Sequence, residues 1–401
     1  MPTLHHQPLY YHKKGYPLLR GIGRTAGRTV QVILLTLVAV LLLLTGAITI
    51  VCLGPSTAAR DLFVVSALET SAAKFIPGLF LSQQTISGIL DGNAVLQSDT
   101  VTDSTMVQPP PVDAPGFDLN AVTLEEVVGA TYKGKMMIIN DPSRLYVGTP
   151  AAFSKTAGGL RVEEMVKRDN ALAGVNGGGF MDEGGVGTGG EPLGIVISDG
   201  VLKAGYLDGS YVVIGFDRQN KLVVGKMTAK QALDRGIRDA VSFSPGLIVN
   251  GEPMEVAGAG SGLNPRTAIG QRKDGSVLLL VIDGRQPHSL GASYADLIDV
   301  MQQYGAVNAA NLDGGSSSLL VYENEIITRC ASLYGSRKLP TSILVRRPGD
   351  ATTPNAFANT VVSAPLPPAY IAAASESAAA AAAAAASSGS STADSQEVPS
   401  S

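Results

Sequence analysis

Five short stretches of this 401-residue sequence carry residue types that could act together. The first, NLDGGSSSLL (Asn311–Leu320), sets an acid, two glycines and three serines between apolar runs. A plain hairpin needs only an Asp-Gly turn, so the added hydroxyls and bare backbone suit a ligand. VNGGGF (Val175–Phe180) likewise runs from an apolar segment into consecutive glycines. Such glycines let backbone N–H groups converge on an anion or a hydroxylated molecule. NPRTAIG (Asn264–Gly270) puts Arg266 at the start of a strand, after the AGAGSG loop. VIDGRQPHSLGAS (Val281–Ser293) puts Asp283 and Arg285 at a strand's end, followed by His288 and Ser289. SFSPGLIVNG (Ser242–Gly251) puts Ser242 and Ser244 before an apolar strand. Two arginines at strand ends, among carboxylates and glycine-rich loops, suit a bidentate phosphate clamp. The competing reading is structural: an Asp in Asp-Gly is commonly a turn former, and a single Arg is commonly solvated or ion-paired.

These stretches need a sheet scaffold, and the sequence supplies one. Asp199-Gly200, Asp217 to Asn220, Asn250-Gly251 and Asp274-Gly275 each separate two apolar runs, a hairpin pattern. Helices are fewer. Ser293 and Asp296 are spaced as a capping box, and Leu297, Ile298, Met301 and Tyr304 follow on one face before Gly305. Arg161 to Asn170 and Thr228 to Gly236 are the other helical patterns. The expected class is α+β: a mixed, largely antiparallel sheet with packed helices, preceded by a single transmembrane helix.

Composition narrows the function classes. A formal net charge of -4 gives no nucleic-acid footprint. The chain has 46 glycines, against about 28 at the usual frequency, which favours many tight turns. Its two cysteines, Cys52 and Cys330, have no metal-site spacing and are not expected to pair. Three of the four histidines (His5, His6 and His12) precede the apolar segment.

That segment, Val30 to Gly54, is uncharged and exceeds the roughly 20 residues that cross a bilayer. It is also longer than the ~7–15-residue core of a signal peptide, although Thr57-Ala58-Ala59 resembles a cleavage site. Lys13, Lys14, Arg20, Arg24 and Arg28 precede it without an acid, so the positive-inside rule puts this end in the cytoplasm. The expected plan is a basic cytoplasmic tail over 1–29 and a transmembrane helix over 30–54. A stalk and linker cover 55–115, broken by the prolines of QPPPVDAP. A catalytic domain lies outside the membrane over 116–348, and a disordered Ala/Ser-rich tail covers 349–401.

VNGGGF, NPRTAIG, VIDGRQP, SLG and NLDGGSSSLL, in that order, closely resemble the phosphodiester glycosidase family, which includes bacterial exopolysaccharide-associated proteins. The resemblance runs from about Gly148 to Arg346. It implies hydrolysis of a sugar-1-phosphate diester of N-acetylglucosamine type at the anomeric bond, in envelope or exopolysaccharide glycans. Carried over motif by motif, it implies Asp313, Asp283, Arg266 and Arg285 as catalytic residues. Asn176, Gly177, Gly178, Thr267, Asn311, Gly314, Gly315 and Ser316 become substrate-binding residues. The chemistry agrees. Breaking an anomeric bond develops oxocarbenium character that a carboxylate can manage, and a departing phosphate needs little acid help. Asp313 or Asp283 would act as nucleophile or as base for water, with Asp182 a third candidate, and His288 takes no assigned role. No cofactor is required by this reading, though a divalent cation is left open. Two alternatives remain: a glycan-binding module without turnover, and a metal-dependent phosphodiesterase cleaving P–O through Asp283 and Asp313. The expected partners are a phosphodiester-linked saccharide and, through one helix, a membrane.

Overall fold

The computed structural model describes residues 17–349, apart from 71, 72, 94, 96–98, 157, 183–186 and 333. The expected tails over 1–29 and 349–401 lie largely outside that range. The chain forms two units, one ending at Arg60 and the other beginning at Asp61. The first is dominated by the helix Pro17–Leu53, whose stretch Arg28–Leu53 is long and apolar enough to cross a membrane.

The second unit is built on three sheets, and every paired strand in them is antiparallel. The class is α+β, as the run of hairpin turns predicts. The largest sheet has seven strands, with Lys133–Ile139, Val277–Ile282, Arg266–Arg272 and Ala306–Asn311 at its centre. Val277–Ile282 reads VLLLVI without alternation, because both of its faces are buried. One face aligns Met137, Leu279, Ile269 and Ala310 across four strands. These join the main core with Val175 and Val345 of the second sheet and Ile214 and Val241 of the third. The other face carries Met136, Ile138, Leu278 and Leu280, which pack on Leu297, Ile298 and Met301 of the helix Tyr294–Gln303. Ser293 caps that helix by accepting from the Asp296 N–H, as the spacing predicts.

The second sheet centres on Ala173–Asn176 and Ser342–Val345, the third on Ile237–Ser242 and Ser210–Asp217. The site residues are placed where a strand of the first sheet and a strand of the second end side by side. Residues 99–115, expected as a linker, are held against the sheets. The Thr102 and Gln108 N–H groups donate to the carbonyls of Val224 and Lys273. Within the segment expected as a stalk, the helices are Thr57–Leu68, Pro77–Phe80 and Gln83–Gly92. In this second unit Val64, Val65, Ile86 and Ile89 form a small core of their own with Ala259.

Candidate active site

The strands Ala173–Asn176 and Ala306–Asn311 both run into glycine-rich loops, and Asn176 splices them. Its Nδ2 donates to the Asp313 carbonyl at 2.6 Å, while its Oδ1 accepts from Thr267 Oγ1 at 2.7 Å and from the Leu319 N–H at 3.1 Å. The Asp313 N–H returns a bond to the Gly177 carbonyl. Asn176, Thr267 and Asn311 are fully buried; Asn176, held by Thr267, positions the Asp313 loop from behind the cleft, whereas Asn311 donates to the Ser244 carbonyl and its Oδ1 is buried without a partner. Gly177 and Gly178 are also packing positions. A Cβ on Gly177 would fall 2.5 Å from Thr341 Oγ1, and one on Gly178 would fall 2.7 Å from the Ser242 carbonyl.

In front of that splice lies a cleft of about 230 Å³, lined by Asp313, Gly314 to Ser317, Arg266, Arg285 and Arg337, among others. Gly315 has φ of +63°, and Arg285 approaches the space its Cβ would take. The backbone conformation favours glycine there. Asp313 Oδ1 accepts from the Gly314 N–H at 2.9 Å, and its Oδ2 is shut off from solvent without a hydrogen-bond partner. Burial pushes the Asp313 carboxyl up to about 6, against the pull of Ser317 and the Gly314 N–H.

Arg266 is 2% exposed. Its guanidinium donates to the carbonyls of Ala292, Ser261 and Gly262 and to Ser261 Oγ, and it lies over the Tyr294 ring at 4.3 Å. Its carboxylate partner is Glu69 at 3.1 Å. Arg285 donates to Asn264 Oδ1 at 2.8 Å and to the Glu69 carbonyl at 3.1 Å, and its Nε is buried without a partner. Desolvation lowers the Arg285 pKa. Two buried polar atoms without partners, one anionic and one cationic, therefore line the same cleft. Native structures rarely leave such atoms unsatisfied.

Asp283 lies elsewhere. Its Oδ1 accepts from the Arg329 N–H at 2.8 Å, its Oδ2 faces His288 Nε2 at 3.2 Å, and it is not among the residues lining the cleft. Among the described residues, no group of three or more His, Cys, Asp or Glu side chains converges as a metal site. Arg337 and Glu69 reach the cleft without a sequence motif to announce them. Arg337 makes a two-point pair with Asp182 at 2.7 and 2.8 Å and stacks over Phe180, and this arginine holds the Asp182 carboxyl below its ordinary pKa.

Residues 169–346 match the phosphodiester glycosidase family. The prophage-derived uncharacterized protein YomE of Bacillus subtilis is 29% identical over 228 residues, covering 54% of this chain and 33% of YomE. N-acetylglucosamine-1-phosphodiester alpha-N-acetylglucosaminidase of Mus musculus is 28% identical over 238 residues, covering 53% of this chain and 45% of the mouse enzyme. The chain thus spans less than half the length of these relatives. Among solved structures, the catalytic domain of the zebrafish enzyme, auto-inhibited by its pro-peptide, aligns with a TM-score of 0.47 at 21% identity over 58% of this chain and 85% of that one.

Proposed function

We propose that this protein hydrolyses sugar-1-phosphate diesters at the anomeric C–O bond, releasing free sugar and a phosphomonoester. The observation that carries this reading is the pairing, in one cleft, of a carboxylate with an unpartnered buried oxygen and two arginines near it. Arg266 and Arg285 hold the diester phosphate and stabilise the charge that gathers on it as the bond breaks. Asp313, with its pKa near 6, is largely ionised at neutral pH. It serves the sugar side as nucleophile or as base for the attacking water. The departing phosphate is a weak base, so no second carboxyl need protonate it. The sugar is of N-acetylglucosamine type by analogy with the mouse relative's name, and the glycan is an envelope or exopolysaccharide phosphodiester. The apolar helix Arg28–Leu53 acts as a single-pass anchor, with the basic residues before it in the cytoplasm and the catalytic unit outside.

The test is turnover of an N-acetylglucosamine-1-phosphodiester in ¹⁸O-labelled water, with products read by mass spectrometry. Label in the sugar is the expected result. Label in the phosphate would mean P–O cleavage and would overturn the proposal. Saccharide binding without product, across a panel of sugars, would mean a binding module.

A further inference from the structure

A second cavity, of about 370 Å³, adjoins the cleft. That volume is within the ~300–1,000 Å³ range of small-molecule sites. The two cavities share Glu69 and Tyr294 in their linings. Arg266 lies at the junction: it pairs with Glu69, stacks on Tyr294 and bonds to Ser261, and all three of those residues line the second cavity. A diester phosphate carries two substituents. With its phosphate on Arg266 and its sugar beside Asp313, the other substituent has the second cavity to enter.

The chemistry of that cavity differs from the cleft's. Val65, Leu68, Leu90, Val95, Pro245 and Tyr294 supply its apolar surface. Two of its polar side chains, Asn93 and Ser261, are already committed. Asn93 donates to the Ile89 carbonyl and accepts from the Ala259 N–H, and Ser261 Oγ accepts from Arg266. The one charged side chain in the lining is Glu69, which repels an anionic substituent. Val65, Leu68, Leu90 and Val95 all precede the family-matched residues 169–346. The wall is nonetheless fixed to that region, because Ser66 Oγ accepts from the Leu263 N–H at 2.9 Å and Val95 bridges to Val256.

We propose that this cavity is the acceptor subsite of the reaction and that it selects diesters whose second substituent is an apolar, alkyl-type group over polyhydroxylated ones. The inference rests on the glycosidase reading for its orientation, but its test uses binding, so the two can fail separately. The probes are methyl, propyl and hexyl phosphate and glycerol 3-phosphate, phosphomonoesters of the product class, titrated calorimetrically into the full chain in lipid nanodiscs. Affinity should rise at least tenfold from methyl to hexyl, since each buried methylene contributes about three- to fourfold. Propyl phosphate should bind tighter than glycerol 3-phosphate, its hydroxylated counterpart. Leu68→Asn and Val95→Asn should each reduce the hexyl-to-methyl ratio. Equal affinity along the series, no measurable binding, tighter binding of glycerol 3-phosphate, or an undiminished ratio in both variants would overturn the subsite. A chain-length gain that the variants remove, in a protein that turns over no diester, would keep the subsite and defeat the glycosidase reading.

Discussion

Two buried arginines of this protein each face a carboxylate, and the two pairs behave as opposites. Arg238 pairs with Asp239, and the side chains are 4% and 2% exposed. Arg266 pairs with Glu69, and there the exposures are 2% and 36%. Around the first pair every contact is to the fold. Arg238 donates to the carbonyls of Leu145 and Pro142 and to Asn220, and Asp239 accepts from the Val147 N–H, tying the second sheet to the third. Burial pushes the Asp239 carboxyl up to about 6 against the pull of Arg238. Asp313 reaches the same range, yet one of its oxygens has no partner. Similar titration therefore conceals different roles. Asp239 also lines a cavity, of about 270 Å³, so what separates the two carboxylates is their partners: both oxygens of Asp239 accept from fixed donors, whereas one oxygen of Asp313 does not. The exposed half of the Arg266–Glu69 pair, Glu69, likewise borders the cleft.

The sharpest way to break this contrast is Asp313→Asn. Turnover should fall by about 10³-fold or more if the carboxylate attacks carbon or activates water. The fold should gain stability at neutral pH. A carboxyl whose folded pKa is raised stabilises the protein fully below its unfolded value, near 3.8, and that contribution is lost as pH climbs through about 6. The amide removes the loss, a gain of roughly 1–3 kcal/mol above pH 6. Melting temperatures of variant and wild type should nearly coincide near pH 4 and diverge above 6. Retained turnover would remove Asp313 from the chemistry. Asp239→Asn should do the reverse. It leaves Arg238 buried without a counter-ion, which should destabilise the fold by about 3–5 kcal/mol, read by denaturant unfolding, while KM in the folded fraction stays unchanged.

The contrast also shows what local sequence reveals. Turns and caps depend on neighbours a few residues apart, so Asn250-Gly251, Asp274-Gly275 and the Ser293 cap were open to inspection. The run Val277–Ile282 signals a strand, but its two buried faces require three sheets and a helix that only the folded chain brings together. Within the site, NLDGG signals Asp313 and the backbone before Ser316 because a polar interruption of apolar runs is a local fact. It does not distinguish the glycines facing the cleft from Gly177 and Gly178, which are pressed against Thr341 and Ser242. Nor does it distinguish Asp313 from Asp283, since both stand before a glycine at a strand's end and only tertiary contacts turn Asp283 to Arg329. Arg337 carries no motif, and Glu69 lies 197 residues from the arginine it meets.

The pH dependence of turnover sharpens the assignment of Asp313 itself. As nucleophile or base it must be ionised, so kcat/KM should rise with pH and level off with an apparent pKa near 6. The expected change is about tenfold between pH 5 and 7. A limb falling through the same value would make Asp313 the proton donor and move the nucleophile elsewhere.

The smallest expected effect tests whether the Arg266 pair is exchangeable. In the structure the Glu69 carboxylate accepts from Arg266 and Asn264, and its carbonyl accepts from Arg285. A diester phosphate seeking both arginines must displace that carboxylate. Glu69→Gln retains the size and a carbonyl acceptor but removes the charge, so phosphate meets less competition and less repulsion. KM should fall by roughly three- to tenfold with kcat little changed, because a partly exposed ion pair is worth about 0.2–1 kcal/mol and the like-charge repulsion adds to it. The change should shrink as salt is raised, since screening weakens exposed charges more than buried ones. An unchanged KM would place the phosphate away from Arg266. A raised KM would make Glu69 part of the substrate's grip, and the cleft pair would then be as permanent as the one between Arg238 and Asp239.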